Sequence, residues 1–333
     1  MQDTLPDIWI LWHKRRGDFN QMLALAEALG WPYTVKKLDF PAVGIPLLAG
    51  ALLRRKTSDS LGGTWPQVIF CAEALCTIVA RRLKRQSGNR IKIVVLGRPL
   101  GSPAGFDLVL TTAQYRLPPA PNVVELELPL INPARHAEGA VTPGPDTARP
   151  LTVALVGAAS APDRLDAAVA GEMAAALLKH AGATGGTLAV VTSPRTSNPV
   201  KVALARRLFA PHRLEADGTG YWRLLAMADE IIVTSDSVSM VADALSAGKP
   251  VSIYRLPLQA SLGEWLYGTG FRPISWLFDK GVIEAPADRR RLFSKLVAAG
   301  RLRWFGEDAP LVAPGHDRNL PLAVKTVREL VSG

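Results

Sequence analysis

The stretch Glu230-Ile231-Ile232-Val233-Thr234-Ser235-Asp236-Ser237-Val238-Ser239-Met240-Val241-Ala242-Asp243-Ala244 runs from a strand through a polar turn into a helix with no spacer. The unbroken apolar run Ile231-Ile232-Val233 is what a parallel strand covered on both faces requires. The helix extends to Ala247, Gly248-Lys249-Pro250 ends it, and Val251 to Tyr254 reads as the next strand. Strand, helix and strand at this spacing form one βαβ unit of a parallel sheet. Its turn aims small polar side chains and the unpaired N–H groups of the helix start at the crevice beyond the strand's carboxyl end. A phosphate or pyrophosphate is the guest such a place favours. The alternative is an ordinary helix cap, with Asp236 or Ser237 bonding its own backbone.

Working outward, the same alternation continues on both sides. Upstream, Thr152 to Val156 and Leu188 to Thr192 read as strands. Leu165 to His180, Pro199 to Leu208 and Tyr221 to Ala228 read as helices. The stretch before Leu151, from Asn132 to Pro150, is rich in Pro, Gly and Ala without periodicity and marks a linker. Before it lies a second α/β pattern. Ile8 to Trp12 is a strand, His13 to Asn20 a loop, Gln21 to Leu29 a helix that Gly30 stops, and Tyr33 to Leu38 a strand. Strands at Gln67–Cys71, Ile91–Leu96, Leu108–Thr111 and Val123–Leu126 follow, with a helix at Leu75–Lys84. The expected fold class is therefore α/β, two Rossmann-like domains facing across a cleft. The expected divisions are an N-terminal domain at 1–132, a linker at 133–150, a C-terminal domain at 151–312, and a terminal segment at 313–333. Within that segment Leu320 to Val331 reads as an amphipathic helix, and in duplicated architectures of this kind such a helix often crosses back onto the first domain, which is the expectation here.

Composition narrows the function classes. The 333 residues suit two domains, and 48% hydrophobic with 20% charged residues is globular. No apolar run is long enough to span a bilayer, and the N-terminus lacks a signal-peptide pattern, so a cytoplasmic start is expected. Cys71 and Cys76 have no second Cys or His pair to complete a metal site and read as small buried residues. The net charge of +10 sits in clusters such as Arg54-Arg55-Lys56 and Arg289-Arg290-Arg291, which are not interleaved with aromatics. Nucleic acid is therefore not expected as a partner, whereas an anionic membrane surface and a phosphorylated ligand are. The segment from Pro41 to Lys56, apolar and closed by three cations, reads either as a partly buried loop and helix or as a monotopic membrane contact.

Three loops should converge on the C-terminal crevice. Gly157-Ala158-Ala159-Ser160 follows the first strand of that half, and Gly157 permits close backbone approach to a ligand. Thr192-Ser193-Pro194-Arg195 follows the second, where Arg195 can clamp a phosphate oxygen. Thr234, Ser235, Asp236, Ser237, Ser239 and Met240 supply the third, with Asp243 about two turns into the helix, positioned for ribose hydroxyls. No Asp-x-Asp pair stands at a strand end, so no bound metal and no separate cofactor are expected. Arg195, hydroxyls and helix N-termini would neutralise donor phosphates instead.

These motifs resemble, in order and over most of the chain, the mitochondrial-fission Elm-type (elongated mitochondria) family, whose bacterial members look like GT-B glycosyltransferases. The resemblance rests on Gly17-Asp18 with Gln21, Gly97-Arg98-Pro99, Phe106-Asp107-Leu108-Val109, Thr192 to Thr196, Ala228-Asp229, and Val233 to Ala244 with Gly248-Lys249-Pro250. The chain departs from the family at Ala158, Pro194 and Asp243, and at Thr112-Ala113-Gln114-Tyr115, where a His-Asp pair is usual. The layout is similar to the lipid-linked peptidoglycan N-acetylglucosaminyltransferase. That likeness implies a nucleoside-diphosphate sugar held by the C-terminal domain. The acceptor, lipid-linked or a polysaccharide of the envelope, would face the loop after the first strand at the inner membrane surface. It also implies Asp18 as general base, with His13 and Glu73 as further candidates. A non-catalytic membrane-associated scaffold and a sugar-nucleotide epimerase are the alternatives the same resemblance leaves open.

Overall fold

A computed structural model of the chain describes residues 5–40, 61, 64–72, 74–132, 150–159, 161–218, 220–259, 287–311 and 318–333. It divides into two compact units. Unit 1 comprises Met1–Asn132, Leu266–Asp288 and Asp317–Gly333, and unit 2 comprises Pro133–Trp265 and Arg289–His316.

Unit 1 is a six-stranded sheet with helices on both faces. Its elements are β1 (Ile8–Trp12), α1 (Arg16–Leu29), β2 (Tyr33–Lys37), β3 (Val68–Cys71), α2 (Ala74–Gln86), β4 (Lys92–Leu96), β5 (Leu108–Thr112) and β6 (Val123–Leu126). The strands run parallel in the order β2-β1-β3-β4-β5-β6. On one face Ile10, Phe70, Val94 and Leu110 bury against Leu25 and Leu29 of α1 and against Ala323 and Val327 of the C-terminal helix Asn319–Ser332. On the other face Leu11, Ile69, Val95 and Val109 bury against Cys76, Val79 and Leu83 of α2. Coverage on both faces explains why these strands are continuous apolar runs rather than alternating ones.

Unit 2 repeats the plan with β7 (Leu151–Val156), α3 (Ala167–Ala183), β8 (Thr187–Thr192), α4 (Asn198–Ala205), β9 (Arg213–Glu215), α5 (Tyr221–Met227), β10 (Glu230–Thr234), α6 (Val238–Ser246), β11 (Val251–Tyr254), α7 (Arg289–Ala298) and β12 (Arg303–Trp304). Its strands are parallel in the order β12-β11-β10-β7-β8-β9. Met173 and Leu177 of α3 and Leu204 of α4 close one face over Ala154, Val190 and Ile232. The last helix, α8 (Asn319–Ser332), belongs to unit 1.

The structure differs from the sequence expectation in a few elements. Helix α1 starts at Arg16, so Gly17 and Asp18, read as loop, form its first turn, where a carboxylate is favoured by the helix dipole. The edge strands β9 and β12 are three and two residues long, too short to show a period. Helix α7 opens on the three arginines read as a charge cluster. The stretch from Pro41 to Lys56 and most of the linker lie outside the described residues, as do Glu73 and Ser160.

Candidate functional site

In unit 2 the strand order reverses at β7. The chain moves to one side for β8 and β9 and returns on the other for β10 and β11. The loops after neighbouring strands β7 and β10 leave the sheet at this switch point, the place where open α/β sheets take ligands in a crevice outside the carboxyl ends of their strands. Residues 157–159 and 235–237 border that crevice, so the topology brings together two of the three loops singled out in the sequence.

A buried polar knot fixes them. The Thr234 hydroxyl donates to Asp236 Oδ1 at 2.6 Å and accepts from the Gly157 amide at 2.9 Å. Asp236 Oδ2 accepts from the Ala159 amide at 2.8 Å. The Gly157 backbone lies so close beneath the Asp236 carboxylate that a Cβ there would collide with both oxygens. Ala159 sits in left-handed backbone at φ 57°, completing the bend.

The β8 loop joins the knot from the other side. Thr196 donates to the Gly157 carbonyl at 2.7 Å, and the Ser193 amide donates to Val156 O at 3.0 Å. Ser193 Oγ accepts from the Arg195 amide at 3.0 Å, while Thr192 Oγ1 accepts from the Asp217 amide at 3.2 Å. Ser235 Oγ donates to Asp163 Oδ1 at 2.7 Å and accepts from the Leu256 amide at 3.1 Å. Asp163 is itself paired with Arg289 at 2.6 Å.

The sequence-singled residues thus fall into two groups. Thr192, Ser193, Thr234, Ser235 and Asp236 are buried, and their side chains hold loops in place. Arg195 and Ser239 are exposed, and Ser237 and Met240 are half-buried at the start of α6. Ser237 caps that helix through the Met240 amide at 3.5 Å and lies 3.5 Å from the Ser239 hydroxyl. Asp243 accepts from the Tyr221 hydroxyl at 3.0 Å. Burial, and then the charge and hydrogen bond of Asp243, push the Tyr221 hydroxyl well above its ordinary value, so it stays protonated as a donor. Tyr221, Asp163 and Arg289 were not visible in the sequence as site residues. Asp163 and Arg289 stand 126 positions apart, and no local pattern links them.

In unit 1 the strand order reverses at β1, between β2 and β3. His13 follows β1 directly and donates from Nδ1 to Leu38 O at 2.7 Å, with its ring edge-on to Phe40 at 4.8 Å. A carbonyl oxygen only accepts, so Nδ1 carries a hydrogen in this bond. Asp18 is the third residue of α1 and half-buried. Among the described residues no three His, Cys, Asp or Glu side chains are grouped to hold a metal ion, and no helix is long and apolar enough to cross a membrane.

Two parallel six-stranded α/β units in one chain are the plan of the GT-B fold class, and the solved structures agree. The UDP-GlcNAc 2-epimerase from Neisseria meningitidis bound to UDP-GlcNAc superposes at TM-score 0.50 with 11% identity, covering 97% of this chain and 100% of that one. The S. aureus MnaA-UDP co-structure reaches TM-score 0.53 with 13% identity, covering 98% and 97%. The glycotransferase of kitacinnamycin reaches 0.52 with 13% identity, covering 99% and 94%. At these identities the likeness is one of fold. The chain belongs to the mitochondrial fission ELM1 family, whose model matches residues 16–263. No curated protein matches it.

Proposed function

We propose that the protein is a GT-B glycosyltransferase moving a sugar from a nucleoside-diphosphate donor to a lipid-linked or envelope acceptor at the inner face of a membrane. The observation that carries this reading is the knot of Gly157, Thr234 and Asp236, which fixes the loops at the strand-order reversal of unit 2. A helix start lined by Ser237 and Ser239, with Arg195 on the loop after β8, supplies N–H groups, hydroxyls and a guanidinium for a diphosphate without requiring a metal. Asp243, oriented by Tyr221, is the acceptor for ribose hydroxyls. In the transfer, the acceptor oxygen bonds the anomeric carbon as the bond to the diphosphate breaks. The hydroxyl proton passes to a general base, for which the family resemblance offers Asp18 or His13, and the nucleoside diphosphate leaves with the bonding pair. The net charge of +10 supports attraction to an anionic membrane face.

Calorimetric titration with UDP, GDP, ADP and dTDP tests the donor site. One of them binds wild type, and Arg195→Ala, which removes a charge-assisted contact, weakens that binding roughly 10- to 100-fold. Failure of all four to bind sinks the reading. It would favour a non-catalytic scaffold, to which the internal commitment of Thr234, Ser235 and Asp236 also lends support. An epimerase differs in converting the donor sugar with no acceptor present, which product analysis resolves.

A further inference from the structure

Helix α2 in unit 1 turns Cys76, Val79, Ala80 and Leu83 onto the sheet, the spacing of one buried face. Ile78, Arg81, Arg82 and Arg85 share the opposite face at i, i+3, i+4 and i+7. Arg81 and Arg85 are exposed, while Leu75, Ile78 and Arg82 are half-buried. From Ala74 to Phe106 the sequence holds no Asp or Glu. The next acid, Asp107, is taken by Lys84 at 2.6 Å and by the Ile93 amide at 2.7 Å. Among the described residues Arg81, Arg82 and Arg85 enter no ion pair. The helix dipole favours cations in the last turn, which accounts for Lys84 and Arg85 but not for Arg81 and Arg82 before them. Arg81 is also held in place. Its guanidinium lies over the Phe106 ring at 5.8 Å and against Gly101 and Gly105, where an added Cβ would meet it at 3.4 and 3.5 Å. An exposed guanidinium fixed by packing has less rotamer freedom to lose when an anion binds.

Arginines in such an array attract any polyanion, and the rest of the face selects among them. Leu75 and Ile78 lie in the first half of the helix and the cations in the second. A lipid surface meets both halves, with headgroup phosphates for the guanidinium groups and the acyl boundary for the apolar side chains. Single-stranded nucleic acid calls instead for accessible aromatic rings among the cations, and Phe106 is buried beneath Arg81. We propose that the outer face of α2 is a docking surface for an anionic phospholipid membrane, with Arg81, Arg82 and Arg85 on headgroup phosphates and Ile78 toward the acyl boundary. Its role in bringing the enzyme to its acceptor rests on the transferase reading above, but vesicle binding does not require a donor site.

The test is co-sedimentation of the full chain with vesicles of pure phosphatidylcholine and of equimolar phosphatidylcholine and phosphatidylglycerol. Wild type should bind the mixed vesicles, ignore the pure ones, and come off as salt is raised. A cation at the surface contributes about five-fold in affinity, so Arg81→Ala/Arg82→Ala/Arg85→Ala should weaken partitioning about 100-fold. The same three positions changed to Lys keep the charge and should keep most of the binding. Arg206→Ala/Arg207→Ala/Arg223→Ala removes equal charge from exposed or half-buried positions of unit 2 and should leave partitioning nearly unchanged. No binding of mixed vesicles by wild type, equal partitioning of wild type and the α2 alanine variant, or equal loss in both alanine variants would each overturn the proposal. So would tighter binding to a single-stranded RNA homopolymer than to the mixed vesicles. A nucleoside diphosphate titration of the α2 alanine variant is the independent arm and should match wild type. Vesicle binding without nucleotide binding in wild type removes the donor reading alone, whereas nucleotide binding without vesicle binding removes only this one.

Discussion

Gly157 shows how one hydrogen atom in place of a side chain shapes the site. Its Cα is pressed against the Asp236 carboxylate, and its amide and carbonyl are held by Thr234 and Thr196. Gly157→Ala forces the carboxylate away and breaks its bonds to Thr234 and Ala159. We expect a loss of about 1–3 kcal/mol in urea unfolding and at least a tenfold loss of nucleoside diphosphate affinity by calorimetry. Two residues on, Ala159 carries a left-handed φ of 57°, so Ala159→Gly should stabilise the protein by about 0.5–1 kcal/mol in the same assay. Stability unchanged in Gly157→Ala would remove the knot from its structural role. The sequence reads Gly157 as permitting close backbone approach to a ligand, and the structure shows a close approach to a side chain of the protein itself. The partner is Asp236, a residue read as ligand-facing. A polar residue at a strand end looks the same in sequence whether its hydroxyl meets a ligand or a neighbouring loop, because the difference lies in contacts 77 positions apart.

Among elements, the parallel strands were legible because burial on both faces leaves unbroken apolar runs, as in Val68–Cys71 and Glu230–Thr234. The pieces that tie elements together were not, since they rely on single charged residues far apart. Glu230 opens β10 and receives hydrogen bonds from His180 of α3 at 2.7 Å and Arg303 of β12 at 2.9 Å, joining three elements. Burial pushes its carboxyl up, but the bonds and charges of His180 and Arg303 outweigh that and hold it below its ordinary 4.5. A carboxyl lowered in the folded state stabilises the fold wherever the unfolded chain would bind the proton more readily. This contribution is therefore complete above the unfolded value near 4.5 and is lost as pH falls through the lower folded one. Glu230→Gln should cost about 1–3 kcal/mol at pH 7. The gap between variant and wild type should narrow as urea unfolding is repeated toward pH 3. A gap independent of pH would show that the carboxylate's charge contributes nothing.

At the scale of the whole molecule, the chain leaves unit 1 after β6 and supplies α8 to it from its far end. Ala323 and Val327 are fully buried in the unit 1 core, and Asn319 accepts from the Glu127 and Leu128 amides at 2.9 and 3.3 Å. The amphipathic pattern of Leu320 to Val331 showed a helix with one face to bury. Which core that face enters depends on contacts across about 190 positions, beyond the reach of local periodicity. The described cores of the two units share no residue, so each should answer to its own perturbation. Val327→Ala removes two buried methyl groups and should cost unit 1 about 2 kcal/mol. Hydrogen exchange should report this as lost protection in β1, β3, β4 and α1, with β7, β8 and β10 unchanged. A nucleoside diphosphate at 100 times its dissociation constant should do the reverse, adding about 2.7 kcal/mol to unit 2. Its protection should appear at residues 157–159, 193–196 and 235–240 and spare α8. Protection appearing first in unit 1 would move the donor site out of the β7–β10 crevice.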